Sequence, residues 1–528
     1  MTRVLPPLVV LLPLLGAALA LAMGRYKKFQ VAISTATLSL MTLAAAWLLY
    51  YVDRNGAAIV EVGAWQTPYG ITLVVDRLSA IMLVVSCIVL LGVLVYAVGQ
   101  GIADGNRETP LTIFHPTYLM LSAGLAVAFT TGDLFNLFVG FEILLAASYV
   151  LLTLGGTGSR IRAGVTYIVV SLVSSTFFLA AIAMVYGATG TVNMAQVAER
   201  IGDLPPSTAL LLHVMLLLGF AIKAALFPMS FWLPDSYPTA PAPVTAVFAG
   251  LLTKVGVYAI IRTETLLFPD DAPGGDLRVP LMWVALLTMV IGILGASVQA
   301  DIKRLLSFTL VSHIGYMIFG IALSSQLGLN ATVYYVVHHI TVQTTLFLAV
   351  GLVERVGEST SISKLSGLLK AAPLVAVLFF IPALNLGGIP PFSGFVGKAG
   401  LLVAGAQVGG WVVWVVIAGA VLTSLLTLYT LMRVWNMVFW RSRKEVNEGY
   451  ESFLINTLVE NPDADDEPRT QSTTPRLMVA ATTAMVAVTV GLTLFAGPLF
   501  GLGDRTAQEI GDREARIADV LPEEARDG

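Results

Sequence analysis

The chain has 528 residues, of which 56% are hydrophobic and 12% are charged, and its formal net charge is −3. A soluble domain carries about 25% charged residues, so this composition predicts a membrane protein. The near-neutral charge gives no indication of a nucleic-acid partner. The single Cys87 cannot form an internal disulfide or hold an iron–sulfur cluster, and no Walker A or dinucleotide-binding pattern is present. We therefore expect no cofactor and no metal site in this chain.

The amino-terminal stretch, MTRVLPPLVVLLPLLGAALALAMG, is an apolar run of about 20 residues. Its lone Arg3 and its small residues would also suit a secretory signal peptide. The run is long enough to span a bilayer, however, and GRYKK follows it at once. We favour a retained spanning helix whose far end is cytoplasmic.

About fourteen apolar runs along the chain are long enough to cross a bilayer. They fall at residues 4–23, 30–51, 72–98, 113–131, 133–154, 163–187, 207–232, 243–262, 279–298, 304–323, 329–353, 371–404, 409–440 and 477–499. The predicted fold class is therefore an all-α polytopic membrane protein with about 14 transmembrane helices. Two polar segments, Glu445 to Pro475 and the tail from Asp504, are predicted to be loosely ordered and solvated.

Lysines and arginines are concentrated in alternate loops, which predicts the orientation. With the amino terminus outside, the inside loops collect Arg25, Lys27, Lys28, Arg107, Arg160, Arg162, Lys303, Arg304, Arg355, Lys364, Lys370, Arg441, Arg443, Lys444, Arg469 and Arg476. The outside loops hold Arg3, Arg54, Arg77, Arg200, Arg262 and Arg278, and four more arginines lie in the acid-rich tail. We expect both termini outside the cytoplasm, in a multi-pass protein of the cell (plasma) membrane.

Segments seven and twelve are interrupted by proline and glycine, in KAALFPMSFWLPD and NLGGIPPFSGFVGK. Each is the fourth segment of a block of five, and each has a lysine beside its break. Interrupted helices in matching positions of two halves are typical of transporters built from inverted repeats. The predicted organisation is 1–112 (helices 1–3), 113–262 (first repeat, helices 4–8), 279–440 (second, inverted repeat, helices 9–13), 441–476 (cytoplasmic polar loop) and 477–528 (helix 14 and an acidic external tail).

Four charged side chains, Glu142, Lys223, Lys254 and Lys398, fall well inside predicted spans. Each unpaired charge costs about 2.5–3.5 kcal/mol on insertion scales, so the four together need pairing or internal water. Glu142 is the natural partner for one lysine, because an opposite charge stabilises both ionised forms. A lysine that gains and loses such a partner can hold and release a proton. We predict a proton relay with Lys254 between Lys223 and Lys398.

Histidines add candidates for the same relay, because a neutral imidazole can pass a proton between waters. His338 and His339 lie mid-span and are adjacent, so we expect one of them to face away from the pathway. His313 and His213 are weaker candidates, and the interfacial His115 is weaker again. None has metal-ligand spacing with cysteines or carboxylates.

Four stretches resemble the proton-translocating antiporter-like subunits of respiratory complex I and of Mrp-type multisubunit cation/proton antiporters. They are GDLFNLFVGFEILLAASYVL, FAIKAALFPMSFWLPDSYPTAPAPVTAVFAGLLTKVGVYAIIR, ADIKRLLSFTLVSHIGYM and LGGIPPFSGFVGK. The resemblance implies the fourteen-helix inverted-repeat architecture. By it, Glu142 and Lys223 match the family's glutamate–lysine pair, Lys254 the central lysine, His338 a central histidine and Lys398 the lysine of the second broken helix.

Within that family, GAWQTPYGITLVVDRLSAIM and the long run after Trp232 are most similar to the D-type subunits of Mrp antiporters. The resemblance implies a secondary-transporter subunit rather than an enzyme, with other Mrp-type subunits, protons and a monovalent cation, Na⁺ foremost, as its partners in the lipid bilayer. The alternative is a proton-pumping subunit of an NADH–quinone oxidoreductase, whose redox centres lie elsewhere. A non-conducting scaffold is disfavoured, because a scaffold has no need of mid-membrane lysines.

Overall fold

A computed structural model describes residues 4–65, 67, 69–101, 103–104, 107–108, 111–442 and 474–521. Helices dominate it. In chain order they are α1 (Leu5–Ala22), α2 (Lys27–Asn55), α3 (Arg77–Gln100), α4 (Leu111–Thr130), α5 (Leu134–Thr153), α6 (Gly158–Thr189), α7 (Met194–Ile201), α8 (Pro206–Ala224), α9 (Trp232–Ser236), α10 (Ala242–Leu267), α11 (Arg278–Ser297), α12 (Ile302–Ala322), α13 (Gln326–Gly357), α14 (Leu368–Ala371), α15 (Pro373–Gly387), α16 (Ser393–Val408), α17 (Trp411–Trp440), α18 (Arg476–Leu494), α19 (Ala496–Gly511) and α20 (Arg513–Val520). Short strands form two antiparallel pairs, β1 (Ala58–Glu61) with β2 (Thr72–Val75) and β3 (Ala103–Asp104) with β4 (Arg107–Glu108).

Thirteen helices of the described chain are long and apolar enough to cross a membrane. They match the predicted segments one to eleven, thirteen and fourteen. The remaining segment, 371–404, is the broken pair α15 and α16, which are separated by residues 388–392. The prediction of an all-helical, multi-pass membrane protein with about fourteen spans is confirmed.

The predicted start of segment three is wrong, because residues 72–75 form a strand rather than the first turn of a helix. Their backbone pairs with β1, with Ala58 opposite Val75. The helix begins only at Arg77, where the carboxylate of Asp76 accepts a hydrogen bond from the Ser79 amide at 2.9 Å. An aspartate at this position satisfies an amide that the first helical turn leaves free.

The prediction that the tail from Asp504 is loosely ordered is also wrong for residues 504–521, which lie in α19 and α20. Two tail arginines bind other parts of the chain. Arg505 donates two hydrogen bonds of 2.8 Å to Asp53, and Arg513 Nε donates to the Leu266 carbonyl at 3.0 Å. The other predicted polar segment, Glu445 to Pro475, lies outside the described residues apart from its last two positions.

The interior of the protein is formed by α10, α12 and α13. In the most apolar window of each, 94% of the residues are buried, compared with 33% in α1, α17 and α18. The first three helices therefore pack against protein on nearly all sides, whereas the others present apolar surface outwards. Charged groups on α10 and polar groups on α13 consequently lie away from lipid.

One backbone motif occurs twice in the described chain. Asp133 caps α5 and forms a β-bridge with Asn193, while Asp301 caps α12 and forms a β-bridge with Ser361. Asp301 follows Asp133 by 168 residues, and Ser361 follows Asn193 by the same 168. The flanking hydrogen bonds recur at that interval too, since Leu134 N donates to Val192 O at 2.9 Å and Ile302 N donates to Thr360 O at 3.0 Å.

Candidate functional site

The sequence-predicted lysines are all buried in the folded chain. The exposed fraction is 8% for Lys223, 0% for Lys254 and 5% for Lys398, while Glu142 is half-buried on α5. An ammonium group in such surroundings needs hydrogen-bond acceptors to replace water. Each lysine obtains them in a different way, and each depends on an irregularity in its helix or on a neighbouring helix.

Lys223 lies in the last turn of α8, directly before the first break. The helix stops because Ala225 adopts a left-handed conformation with φ of 58°. The freed carbonyls are partly satisfied within the break, where Leu226 N donates to Ala221 O at 2.9 Å and Trp232 Nε1 donates to Ile222 O at 3.2 Å. The break therefore leaves the Lys223 side chain at the end of a helix rather than in its middle.

Glu142 and Lys223 are joined through a serine rather than by direct contact. Lys223 Nζ donates to Ser175 Oγ on α6 at 2.9 Å, and the same hydroxyl donates to the Glu142 carboxylate. The Ser175 side chain on α6 therefore lies between the two charges of the predicted pair. A hydroxyl in this position accepts a proton from one side and donates one to the other, so it is suited to pass a proton between them.

A cavity lies beside this bridge. Its polar lining comes from Lys223, Ser171, Ser174, Tyr167 and Tyr237, and Phe141 and Trp232 contribute aromatic faces. Lys223 Nζ is 5.6 Å from the ring centroid of Phe141, within the range of a cation–π contact. The lysine therefore has an electron-rich ring and open space next to it.

Lys254 is held by a π-helical turn in α10. Residues Phe248–Leu252 form that turn, and Lys254 Nζ donates to the Ala249 carbonyl at 2.6 Å. A π turn widens the helix and leaves a carbonyl outside the regular hydrogen-bond ladder. The same turn packs against α13, where Thr344 Oγ1 donates to Ala246 O at 3.3 Å. Lys254 is thus brought close to the polar face of α13.

Lys398 fills the second break. Its Nζ donates to the Leu386 carbonyl and to Ser424 Oγ, both at 3.0 Å, and reaches Gly387 O at 3.4 Å. These carbonyls are free because α15 ends at Gly387 and Gly388 has φ of 83°. The sequence predicted a break beside this lysine, and the lysine ammonium bonds the carbonyls that the break leaves free.

The histidines form one cluster between α12, α13 and α16. His338 Nδ1 is 3.0 Å from Ser393 Oγ, and His313 Nδ1 is 2.8 Å from the Tyr335 hydroxyl. The rings of His313 and His339 lie 5.3 Å apart. His339 is also fully buried, so both members of the adjacent pair lie inside the protein. Both helix faces of this part of α13 are covered by protein.

Lys398 lies beside this cluster, and the π turn that holds Lys254 packs on the same helix, α13. Lys398 Nζ is 5.3 Å from the ring centroid of Tyr316, whose ring is 5.6 Å from that of His313. Both ring nitrogens of His339 and Nε2 of His338 are buried without a partner among the described residues. Unpaired imidazole nitrogens in such a place are suited to bind water.

The two remaining histidines lie elsewhere. His115 Nδ1 is 3.1 Å from Ser34 Oγ, between α4 and α2. His213 Nε2 is 2.7 Å from Glu264 Oε1, between the ends of α8 and α10. Within the part of the chain that the structure describes, no group of three or more histidine, cysteine, aspartate or glutamate side chains could hold a metal ion.

Several residues of the site were not singled out from the sequence, namely Ser175, Tyr316, Tyr335, Asn385, Ser393 and Ser424. Hydroxyl and amide groups are frequent in membrane helices, so their presence carries no signal until the neighbouring helix is known. Only Asn385 and Ser393, which flank the GGIPPF break, had a recognisable context.

Comparison with known proteins shows which family the chain belongs to. The family described as NADH:quinone oxidoreductase/Mrp antiporter, TM, matches residues 131–427, more than half of the chain. The chain belongs to this family. The matched region of the Mrp antiporter family extends from the first β-bridge motif past the second broken helix, and so it contains Glu142, all three lysines and the histidine cluster.

Individual members of the family align with almost the whole chain. The D-type subunit of the Na⁺/H⁺ antiporter of Alkalihalophilus pseudofirmus is 37% identical over 97% of this chain and 98% of its own length. The D-type Na⁺/H⁺ antiporter subunit of Bacillus subtilis is 35% identical over 83% and 87%. A chain of the Mrp complex from Dietzia sp. DQ12-45-1b superposes with a TM-score of 0.87 at 31% identity, covering 98% of this chain and 99% of that one. The resemblance to D-type Mrp subunits is confirmed.

Proposed function

We propose that the chain is the proton-translocating subunit of a multisubunit monovalent cation/proton antiporter of the cell membrane, with Na⁺ as the exchanged cation. The observation that carries this proposal is the series of buried titratable groups from Glu142 through Lys223, Lys254 and the histidines to Lys398. Support for the antiporter function comes from relatives named as D-type subunits of Na⁺/H⁺ antiporters, which align over most or nearly all of the chain.

We call this series of groups, from Glu142 to Lys398, the proton line. Each group in it has the chemistry that proton transfer needs. Ser175 links the first carboxylate to the first lysine, and π-turn or break carbonyls hold the other two ammonium groups. Unpartnered imidazole nitrogens lie in the histidine cluster beside Lys398. A proton that moves along the line passes between groups that can each gain and lose one, with internal water filling the gaps.

The same proposal includes two inverted five-helix repeats with both termini outside. The recurring Asp–β-bridge motif supports it, because the motif recurs five spans later and an odd number of spans places the second copy on the opposite side of the membrane. The two broken helices, α8 and the α15–α16 pair, occupy matching positions in this arrangement. The chain acts in a hetero-oligomer with other Mrp-type subunits, as its structural neighbour in the Dietzia Mrp complex does.

The experiment is Na⁺-driven proton flux in proteoliposomes that contain the assembled complex with Glu142→Ala. We expect exchange to be lost while the subunits remain assembled, because Lys223 loses the carboxylate that stabilises its ionised form. Glu514→Ala on the exposed face of α20 is the matched control and should exchange normally. Normal exchange by the Glu142→Ala complex would refute the proposal.

A further inference from the structure

A second group of charged side chains is buried where the C-terminal helices cover the end of α10. These side chains are not part of the proton line from Glu142 to Lys398. The cavity between α10, β2 and the tail has charged groups from three parts of the chain, namely Asp76, Arg262, Glu509, Arg516 and Asp519. Three carboxylates line the cavity together with two guanidinium groups, and the Arg77 guanidinium lies 3.2 Å from Glu509 at its edge. Charges of both signs are therefore buried together here.

The guanidinium of Arg262 is neutralised at the inner end of this cavity. Its Nη1 and Nη2 both donate to the Asp76 carboxylate, and Nη2 also donates to Ser79 Oγ at 2.9 Å. A bidentate pair of this kind cancels the charge that would otherwise repel a proton. Arg516 Nη1 donates to the Ile510 carbonyl at 3.0 Å and to Thr265 Oγ1 at 3.3 Å, so it joins the tail to α10.

A polar stripe connects this pair to the central lysine. Lys254, Tyr258 and Arg262 are spaced by four residues, so they lie on one face of α10 at steps of about 6 Å. The Tyr258 hydroxyl is 3.1 Å from Ser79 Oγ and 3.0 Å from the Phe129 carbonyl, and it accepts a hydrogen bond from Arg262 Nε at 3.0 Å. Its single proton therefore has two alternative acceptors.

We propose that this cavity, which we call the tail port, gives Lys254 its own proton route to the outer face, with the Tyr258 and Ser79 hydroxyls as relay groups and Glu509 as the acceptor at the mouth. The proposal rests on the proposed function, because it takes Lys254 to carry a proton. It adds a branch at the centre of the line, so that protons leave the first repeat without passing Lys398.

The relay step conserves protons and needs no further reactant. A proton that arrives from Lys254 through water binds the Tyr258 oxygen, while the hydroxyl's own proton passes to Ser79 Oγ. Ser79 in turn releases its proton towards the cavity, and each hydroxyl is neutral before and after the step. Lys254 lies four residues before Tyr258, about 6 Å along the helix axis, and its Nζ is bonded to the Ala249 carbonyl. The relay therefore requires the Lys254 side chain to turn from that carbonyl towards Tyr258, with water joining the two groups.

Glu509 has the surroundings of a proton acceptor at the mouth. Its Oε2 accepts a hydrogen bond from the Arg77 amide at 3.1 Å and lies 3.2 Å from Arg77 Nη1. Burial raises the pKa of Glu509, and the nearby Asp76 carboxylate adds to the rise, while Arg77 opposes it. The charged groups that face it are Asp76 and Arg77 at the start of α3, Arg262 on α10, and Arg516 and Asp519 on α20.

The first test replaces Tyr258 by phenylalanine in the assembled complex and measures Na⁺-driven proton flux in proteoliposomes. The phenyl ring keeps the packing on Phe129, whose centroid is 5.1 Å away, and only the hydroxyl is lost. We expect flux to fall at least tenfold. Tyr118→Phe is the matched control, because it also removes one buried hydroxyl, bonded to the Leu90 carbonyl at 2.8 Å, and it should stay within twofold of wild type.

Lys254→Met separates this proposal from the proposed function. If Lys254→Met abolishes flux but Tyr258→Phe retains it, the proton line is supported and the tail port is refuted. If Lys254→Met itself retains flux, the proposed function fails at its central station.

The second test distinguishes a proton acceptor from a simple docking contact. Glu509→Gln keeps an oxygen for the Arg77 amide but cannot titrate, whereas Arg505→Gln breaks the tail's ion pair with Asp53 and leaves the cavity intact. We expect Glu509→Gln to reduce flux and to change its dependence on outer pH, with Glu509→Asp restoring part of both. If flux depends on outer pH in the same way in Glu509→Gln, Arg505→Gln and wild type, Glu509 only holds the tail in place. That result would overturn its assignment as the proton acceptor.

Discussion

The hydroxyl of Ser175 should be as necessary for exchange as the charges that it joins. Ser175→Ala removes the group that bridges Lys223 Nζ and Glu142. Hydrogen bonds to charged groups are worth about 1.5–3 kcal/mol. If one such bond is missing in the transition state of proton transfer, the transfer rate falls about 10- to 150-fold, since about 1.4 kcal/mol corresponds to a factor of ten.

The assay is the initial rate of Na⁺-driven proton flux in proteoliposomes with equal amounts of assembled complex. Ser174→Ala provides a close control, because that serine is adjacent on α6 and lines the same cavity, but its hydroxyl donates to the Gly219 carbonyl at 3.2 Å and to neither charge. It should remain near the wild-type rate. Ser175→Thr retains a hydroxyl and should recover most of the flux.

A Ser175→Ala complex that exchanges within twofold of wild type would refute the hydroxyl bridge. The two charges would then communicate through water or by rearrangement alone. A loss of flux in both serine variants would instead point to packing around α6, since the two substitutions remove the same atom from neighbouring positions.

Three further outcomes follow from the same geometry. Lys398→Ala should abolish proton flux. Lys398→Arg should do the same, because arginine does not deprotonate in proteins, whereas Lys398→Glu should retain part of the flux. Wild-type flux in Lys398→Arg would show that a fixed positive charge suffices. Labelling tags near Arg443 and near Glu523 should react from opposite sides of the membrane, and reaction from one side would mean that the span count or orientation is wrong. Glu264→Ala should lower the melting temperature of the solubilised complex, because His213 Nε2 loses its partner in a buried site at a cost of about 1–3 kcal/mol; an unchanged melting temperature would contradict a stabilising contact.

The charged stations could be predicted because charge in a long apolar run is costly and therefore conspicuous. Lys254 in GLLTKVGVYAII needed no partner helix to be noticed. The two breaks were equally visible, because proline and glycine interrupt backbone hydrogen bonding wherever they occur. These features depend on local sequence alone, and the structure places them where the sequence indicated.

What holds each lysine depends on neighbouring elements and could not be predicted. Ser175 lies 48 residues from Lys223 and resembles many other serines in membrane helices. The π turn before Lys254 contains Gly250, but one glycine in an apolar run does not distinguish a π turn from a regular helix. The ordered tail was missed for a related reason, because Arg513 bonds a main-chain carbonyl 247 residues away rather than an acidic side chain that the sequence would reveal.

The proton line is tested most directly by Lys254→Met in the assembled complex, measured as Na⁺-driven proton flux in proteoliposomes. Methionine fills nearly the same volume in a site with 0% exposure, and it removes only the ammonium group and its bond to the Ala249 carbonyl. We expect flux at the level of protein-free vesicles, with the complex fully assembled. Wild-type flux from this complex would show that protons do not pass through Lys254 and would contradict the relay.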